Sequence, residues 1–167
     1  MCTLNGRVVS IAAMKNLLFL LTLFTIGQQT MDLPSKKILS LAAVKTMVSG
    51  AEAEAKKRNV EVTICVVDDS GNLLFLEKAD SVPFNTVEFA QKKARHAAAY
   101  GHPSKDGADA VKNGHTEVLV MPNFFPNQGG LPILVDGKVL GGIAASGAKS
   151  EIDEAIAQAG IDALIKK

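Results

Sequence analysis

The apolar residues of this chain recur with two different periods, which separate helical segments from strands. Over residues 38–55 they recur every three or four positions, which predicts an amphipathic helix with Ser35 as its N-cap. The last helix is expected to begin at Ser150, where Asp153 stands in a capping-box arrangement. Two more helical segments are predicted between these, over residues 85–100, which Gly101 ends, and over the short stretch 104–113.

Short runs of β-branched and apolar residues, bounded by turn residues, predict five strands. The dipeptide Asp136-Gly137 favours a two-residue turn between the last two strands. Because hairpins rather than strand-helix-strand units connect the strands, we expect the α+β class, with a mainly antiparallel sheet flanked by helices in the order α-β-β-α-β-β-β-α. The predicted strands cover residues 60–68, 73–78, 116–120, 131–135 and 138–145.

The N-terminal segment has the layout of a signal peptide. Residues 17–26 form an uncharged apolar run that follows Lys15, and Gly27 supplies a small residue for cleavage. This run is about half of the roughly 20 residues that a membrane-spanning helix needs. We therefore expect an extension plus signal peptide over 1–27 with the true start at Met14, a single domain over 28–167, no stable membrane anchor after cleavage, and a periplasmic or secreted protein.

Composition excludes several classes of protein. The 167 residues are 47% hydrophobic and 21% charged, which is typical of a globular chain rather than a disordered one. A formal net charge of +1 argues against nucleic acid as a partner. Cys65 lies alone among Val62, Ile64 and Val66, so we interpret it as a buried small hydrophobic residue without a catalytic role.

The common nucleotide, zinc and nucleophile motifs are absent, so candidate chemistry depends on a few polar and aromatic residues. His96 shares a helical face with Lys92 and Arg95, which indicates either a solvated cationic face or a carboxylate-binding stripe. His115 and Thr116 lie where a strand is predicted to begin, a position at which side chains often reach ligands. Separately, the adjacent Phe124 and Phe125 lie between two prolines and suit a wall for a flat ligand, a lid, or a subunit interface.

Several short motifs together resemble the GlcG/HbpS family of haem-binding proteins over residues 38–164. The resemblance implies an α+β domain with an antiparallel five-stranded sheet and assembly into homo-oligomers. In exported members it implies binding of haem, and of iron, outside the cytoplasm. The motifs that carry it are Val66-Val67-Asp68, Lys93-Ala94-Arg95, Gly129-Gly130-Leu131-Pro132-Ile133, Gly141-Gly142-Ile143, Ser146-Gly147 and the acidic helix 151–160.

The resemblance also implies roles for particular residues. A haem-ligating threonine of an exported member corresponds to Thr116, with His115 as its chemically stronger neighbour. The Lys-Ala pair of the family matches Lys93-Ala94, whereas His96 occupies a position that is often threonine.

Our leading hypothesis is an exported haem-binding protein. Its axial ligand would be His115 or Thr116, its porphyrin contact Phe124 or Phe125, and its propionate partner Lys92, Lys93 or Arg95. Two alternatives remain open. One is an enzyme or binding protein for a small carboxylate, held by Lys93 and Arg95, with His96 or His115 moving a proton. The other is a structural oligomer without a ligand.

Overall fold

The computed structural model describes residues 31–165, so the predicted signal peptide lies outside the described residues. The unit that contains the sheet begins at Lys37. In chain order the elements are α1 (Leu41–Lys57), β1 (Thr63–Asp68), β2 (Leu73–Lys78), α2 (Thr86–Tyr100), α3 (Ser104–Lys112), a 3-10 helix (Thr116–Val120), β3 (Gly130–Val135), β4 (Lys138–Ser146) and α4 (Ser150–Ile165).

The four strands form one antiparallel sheet in the order β2-β1-β4-β3. Two hairpins, β1-β2 and β3-β4, are joined in the centre by the pairing of β1 with β4. The α+β class is therefore confirmed, and the prediction of five strands is wrong, since the described residues contain four.

The predicted strand at Thr116–Val120 is instead a 3-10 helix. Four of its five residues are β-branched or apolar, but a strand needs a neighbour to pair with, and this segment packs on α3 rather than on the sheet. The backbone groups are bonded locally, for example from Met121 N–H to the carbonyl of Val118 at 3.1 Å. Because the side chains are mostly exposed, no buried face selects an extended conformation.

One face of the sheet is covered by α1 and α4, which pack against each other. Helix α4 lies against β3 and β4, and α1 contacts β1 and β2. In β1, Ile64 and Val66 point into this core, while Cys65 and Val67 point to the opposite face. Since β1 is central and covered on both sides, its sequence is a continuous apolar run without polar alternation.

The other face is covered mainly by α2, through a row of small residues. Ala90, Ala94 and Ala98 pack against the sheet, and all three are buried. A side chain at Gly142 of β4 would place its Cβ 2.1 Å from the carbonyl oxygen of Ala94, so the helix backbone lies directly on the strand. The contact between α2 and the sheet is therefore close, and Gly142 makes room for it.

Most of the remaining boundaries agree with the sequence to within one residue, but β1 begins at Thr63 rather than at Val60, and the first helix begins later than predicted. Gly101 ends α2 with a φ of 67°, and Asp136 and Gly137 form the β3-β4 turn with φ values of 52° and 72°. Helix α1 begins at Leu41 rather than after Ser35, with Ser40 as the N-cap that accepts a bond from the N–H of Ala43 at 3.2 Å. A start at Ser35 would place Lys36 and Lys37 at the positive end of the helix dipole, which is unfavourable.

Candidate functional site

A cavity of about 310 Å³ lies beside the middle of α2. Helix α2 supplies Lys92 and Arg95 on one face, because residues three positions apart in a helix are neighbours. The loop before β3 supplies Asn123, Phe124 and Phe125. Four residues that the sequence singled out, two cations and two aromatic rings, are thus brought together.

Lys92 is the more exposed cation of the cavity. Its Nζ lies 2.7 Å from a carboxylate oxygen of Glu88, and both side chains are about half exposed or more. The same Nζ lies 5.6 Å from the centre of the Phe125 ring, within the range of a cation–π contact. An exposed ion pair is weak, so a ligand carboxylate can replace Glu88 at small cost.

Arg95 is held in a defined orientation. Its Nε donates a hydrogen bond to the carbonyl oxygen of Gly71, in the β1-β2 turn, at 3.0 Å. The guanidinium carries further N–H donors on its two terminal nitrogens, and these match the geometry of a carboxylate. The β1-β2 turn therefore orients the cation that best suits a carboxylate ligand.

The two phenylalanines belong to residues 122–130, here called the aromatic loop. Tyr100 donates a hydrogen bond from its hydroxyl to the carbonyl of Pro122 at 2.5 Å. Ser104 is fully buried, and its Oγ donates to the carbonyl of Asn127 at 2.6 Å and accepts from Gly130 N–H at 2.9 Å. The ring of Phe125 also packs against Phe89 of α2, with the centroids 5.7 Å apart. The loop is therefore attached to α2 and α3 at several points.

His96 is a further attachment point of the aromatic loop. Its Nδ1 accepts a hydrogen bond from the N–H of Phe125 at 2.9 Å, and its ring lies 5.0 Å from that of Phe124 and 4.9 Å from that of Tyr100. A Cβ at Gly107 of α3 would lie 2.8 Å from Cε1 of His96, so α3 closes over the ring. His96 is buried and does not line the cavity, so it belongs neither to a solvated face with Lys92 nor to a carboxylate-binding stripe with Arg95.

The neutral form of His96 is favoured by its surroundings. Burial lowers the pKa of His96 below its ordinary value, His102 lowers it further, and Asp106 opposes both. An imidazole whose Nδ1 accepts a hydrogen bond carries its single proton on Nε2. His96 does not line the cavity, so its contribution is to support the loop that does.

Lys93 faces the protein interior and does not line the cavity. Its Nζ lies 2.9 Å from Oδ2 of Asp153 and donates to the carbonyl of Ala145 at 3.2 Å. The other oxygen of Asp153 accepts from the N–H of Ala148 at 3.0 Å, just ahead of α4. The ion pair therefore connects α2 to the β4-α4 junction, and Arg95 and Lys92 remain as the cations at the cavity.

His115 and Thr116 are exposed and do not line the cavity. His115 precedes the 3-10 helix, and its Nδ1 lies 3.2 Å from a carboxylate oxygen of Glu117. Within residues 31–165, no group of three or more His, Cys, Asp or Glu side chains is placed to hold a metal ion. The assignment of the axial iron ligand to either residue stays a prediction.

Sequence reasoning missed Ser104, Tyr100 and Asn123. Ser104 stands at the start of the predicted short helix, but a helix start does not indicate that the serine also bonds to a distant loop. Its bonds to the aromatic loop join positions 23 and 26 residues apart, a separation that no local pattern reveals.

The expected burial of Cys65 is confirmed. The residue is fully buried, and burial raises the pKa of its thiol to about 12. A thiol with such a pKa is not a nucleophile near neutral pH.

A larger cavity, of about 650 Å³, lies between the C-terminal half of α1 and the ends of β1 and β2. It is lined by three carboxylates, Glu52, Glu61 and Glu77, together with Lys56. The pKa of Glu52 is raised by burial and by the neighbouring Glu77. None of the cationic and aromatic residues that the sequence singled out faces this cavity.

Fold and cavity define an α+β domain that presents two cations and two aromatic rings to a small volume. The sequence model of the family described as haem degrading protein HbpS-like matches residues 39–162. The chain is 34% identical to protein GlcG of Escherichia coli K12 over 112 residues, which are 67% of this chain and 84% of GlcG. This chain belongs to the HbpS-like family.

Solved structures with the same fold include HbpS and a haem complex of PduOC. The crystal structure of HbpS matches with a TM-score of 0.73 and 28% identity, over 82% of this chain and 97% of HbpS. The haem complex of PduOC matches with a TM-score of 0.70 and 27% identity, over 76% of this chain and 95% of PduOC. Among the helices of residues 31–165, none is both long and apolar enough to span a membrane.

Proposed function

We propose that this chain is an exported haem-binding protein and that its ligand site is the cavity on α2. The observation that carries the proposal is the meeting of two cations, Lys92 and Arg95, with two aromatic rings, Phe124 and Phe125, at one cavity. Haem combines the same two chemistries, since it has a flat apolar face and two carboxylates. Membership of the HbpS-like family and the similarity to a haem-bound PduOC domain support the proposal.

The residues at the cavity fit the organic part of haem. Lys92 and Arg95 would hold the propionates, Arg95 with terminal N–H donors that Gly71 helps to orient. Phe124 and Phe125 would lie against the porphyrin and exclude water from it. When bound, the group supplies the iron chemistry. The described lining contains no histidine, cysteine, methionine or tyrosine, so the axial ligand comes from outside it, and we keep His115 and Thr116 as candidates.

A hemin titration followed by absorption spectroscopy tests this proposal. The native protein should give a saturable shift of the Soret band. Arg95→Met should weaken binding about tenfold, because a charge-assisted hydrogen bond contributes about 1.5 kcal/mol or more. Lys105→Met is the matched control, since Lys105 is an exposed lysine of α3 that pairs with Asp109 and does not line the cavity.

His115→Ala and Thr116→Ala identify the axial ligand in the same titration. Loss of the shifted band in one variant, with the other unchanged, assigns the ligand to the lost residue. If the spectrum of the native protein stays that of free hemin, the haem proposal is wrong.

The second candidate function is the binding of a small carboxylate. The specific observation in its favour is the cavity volume of about 310 Å³, which is at the lower end of ligand sites and suits a ligand smaller than a porphyrin. Arg95 would hold the acid, without Lys93, which pairs with Asp153. Calorimetric titration with benzoate and acetate tests this candidate. Benzoate binding that Arg95→Met abolishes, with no response to hemin, would favour it.

Export is a separate part of the proposal and depends on residues 17–26. The protein recovered from outside the cytoplasm should lack all residues before Gln28. N-terminal sequencing measures this directly, and an intact Met14 in that fraction would contradict export by cleavage.

Self-association is proposed from the exposed apolar side chains. Phe84 and Val120 are each 88% exposed, and covering such side chains at an interface would remove apolar surface from water. Sedimentation velocity should give a mass that is a multiple of the chain mass, and a monomer at micromolar concentration would refute the proposal. If the protein forms an oligomer but binds neither hemin nor benzoate, both ligand proposals fail and the structural oligomer without a ligand is the remaining hypothesis.

A further inference from the structure

The aromatic loop is held by three side chains. Tyr100 and Ser104 hold it through hydroxyl groups. His96 holds the N–H of Phe125 through an imidazole nitrogen. Histidine is the residue type whose ordinary pKa, about 6.5, lies nearest to neutral pH, so this attachment can respond to pH.

Protonation of His96 removes this attachment. The Nδ1 of the neutral ring accepts the hydrogen bond from Phe125, at 2.9 Å. In the charged ring both nitrogens carry a proton, so Nδ1–H would face the N–H of Phe125, donor against donor. The ring cannot turn aside freely, because Phe124, Tyr100 and Gly107 lie against it. The Phe125 backbone must therefore move away when His96 becomes charged.

Few charged groups face His96 from the elements around it. Helix α3 contributes Asp106, which favours the charged form, and the α2-α3 turn contributes His102, which disfavours it. The aromatic loop has no titratable side chain in its sequence. Burial is the largest influence, and it lowers the pKa of His96. The ring is therefore neutral at pH 7, and it becomes charged only at a lower pH than an exposed histidine would need.

We propose that His96 is a positioning residue for the ligand cavity, which in its neutral form fixes Phe124 and Phe125 as the cavity wall and on protonation releases the aromatic loop. The release of the loop follows from the contacts alone. Its consequence, the loss of bound haem in mild acid, rests on the proposed function.

The loop is tested first without any ligand. The protein is labelled with 15N-phenylalanine, and the Phe125 amide is identified by its absence in Phe125→Leu. We expect this signal to shift with a single-proton midpoint below pH 6.5 as the pH is lowered from 8 to 5. The fluorescence of Tyr100, the only tyrosine of a chain without tryptophan, should change with the same midpoint because the ring packs on His96.

Two variants separate positioning from simple packing. His96→Asn places an amide oxygen near the position of Nδ1, so it can keep the bond to Phe125 and cannot titrate. We expect it to abolish the pH transition and to retain the loop signal of the native protein at pH 8. His102→Asn removes the neighbouring exposed histidine and should retain the transition.

The affinity for the ligand is then measured by hemin titration at several pH values on both sides of the midpoint. Below the midpoint, the haem affinity of the native protein should fall about tenfold per pH unit, because binding requires the neutral fraction. In His96→Asn the part of this fall in haem affinity that comes from protonation of His96 should be absent. A Phe125 amide that does not titrate in the native protein would overturn the inference even if His96→Asn fails to fold. If the amide titrates but hemin is not bound, the positioning role stands and the haem proposal fails.

Discussion

Lys93 and Asp153 form an ion pair from which water is almost completely excluded, with Nζ and Oδ2 2.9 Å apart and each side chain 3% exposed. One helical position away, Lys92 makes a pair of similar length with Glu88, at 2.7 Å, but on the surface. Two adjacent lysines thus make ion pairs of the same kind in opposite surroundings. The first connects distant elements, and the second borders the candidate ligand cavity.

The buried pair should matter far more for stability than the exposed one. Lys93→Met leaves the carboxylate of Asp153 buried without its cation, so we expect the free energy of unfolding to fall by about 3 kcal/mol or more. Lys92→Met, the matched control, should cost less than about 1 kcal/mol. Urea denaturation measures both. Equal losses in the two variants would contradict the burial of Lys93.

The close contact of α2 with the sheet predicts a strict requirement for glycine at position 142. Gly142→Ala would place a methyl group 2.1 Å from the carbonyl oxygen of Ala94, and we expect a loss of about 3 kcal/mol or more, or no folded protein. Gly137→Ala is the control, because no atom lies within 4 Å of its added Cβ and the cost is backbone strain alone, about 1 kcal/mol. Circular dichroism melting compares the two. A Gly142→Ala protein as stable as Gly137→Ala would show that the helix lies farther from β4.

The start of α1 can be tested by its cap. Ser40→Ala removes the acceptor for the N–H of Ala43 and should lower the free energy of unfolding by about 1 kcal/mol. Ser35→Ala, at the start that the sequence pattern favoured, should change it by less than about 0.5 kcal/mol. Guanidinium unfolding of both variants distinguishes the two starts, and the reverse order of effects would restore the longer helix.

The lowered pKa of His96 predicts how stability depends on pH. Because the folded protein binds a proton at His96 less readily than the unfolded chain, the unfolded state takes up more protons in acid. The contribution of neutral His96 to the free energy of unfolding is therefore fully present above about pH 6.5, the pKa of histidine in an unfolded chain. It is lost as the pH falls through the lower pKa that His96 has in the folded protein. The free energy of unfolding, measured between pH 8 and 5, should decline less steeply in His96→Asn than in the native protein. Parallel curves would exclude a perturbed His96.

Much of the fold could be predicted from local patterns because local chemistry decides it. The turn at Asp136-Gly137 needs positive φ values that these residues tolerate, and the α2 end at Gly101 needs the same. The segment Thr116–Val120 could not be predicted in this way. Its β-branched residues favour a strand, but whether a strand forms depends on a free sheet edge nearby, and that is a property of the whole fold.

The candidate site was predictable in its members and not in their arrangement. Lys92, Arg95, Phe124 and Phe125 were selected from the sequence and meet at the cavity. Lys93 and His96, equally polar and on the same helix, are buried instead. A helical period places residues on faces, but it does not say which face meets the sheet and which meets a loop.

Periodicity, turn chemistry and residue type were enough to predict the α+β class, both hairpins and the set of candidate residues. The folded structure was needed to show that the sheet has four strands, that Lys93 pairs with Asp153, and that His96 supports the loop of Phe125. These features depend on contacts between residues 29 to 60 positions apart, or on the presence of a pairing partner, and packing rather than local sequence creates such contacts.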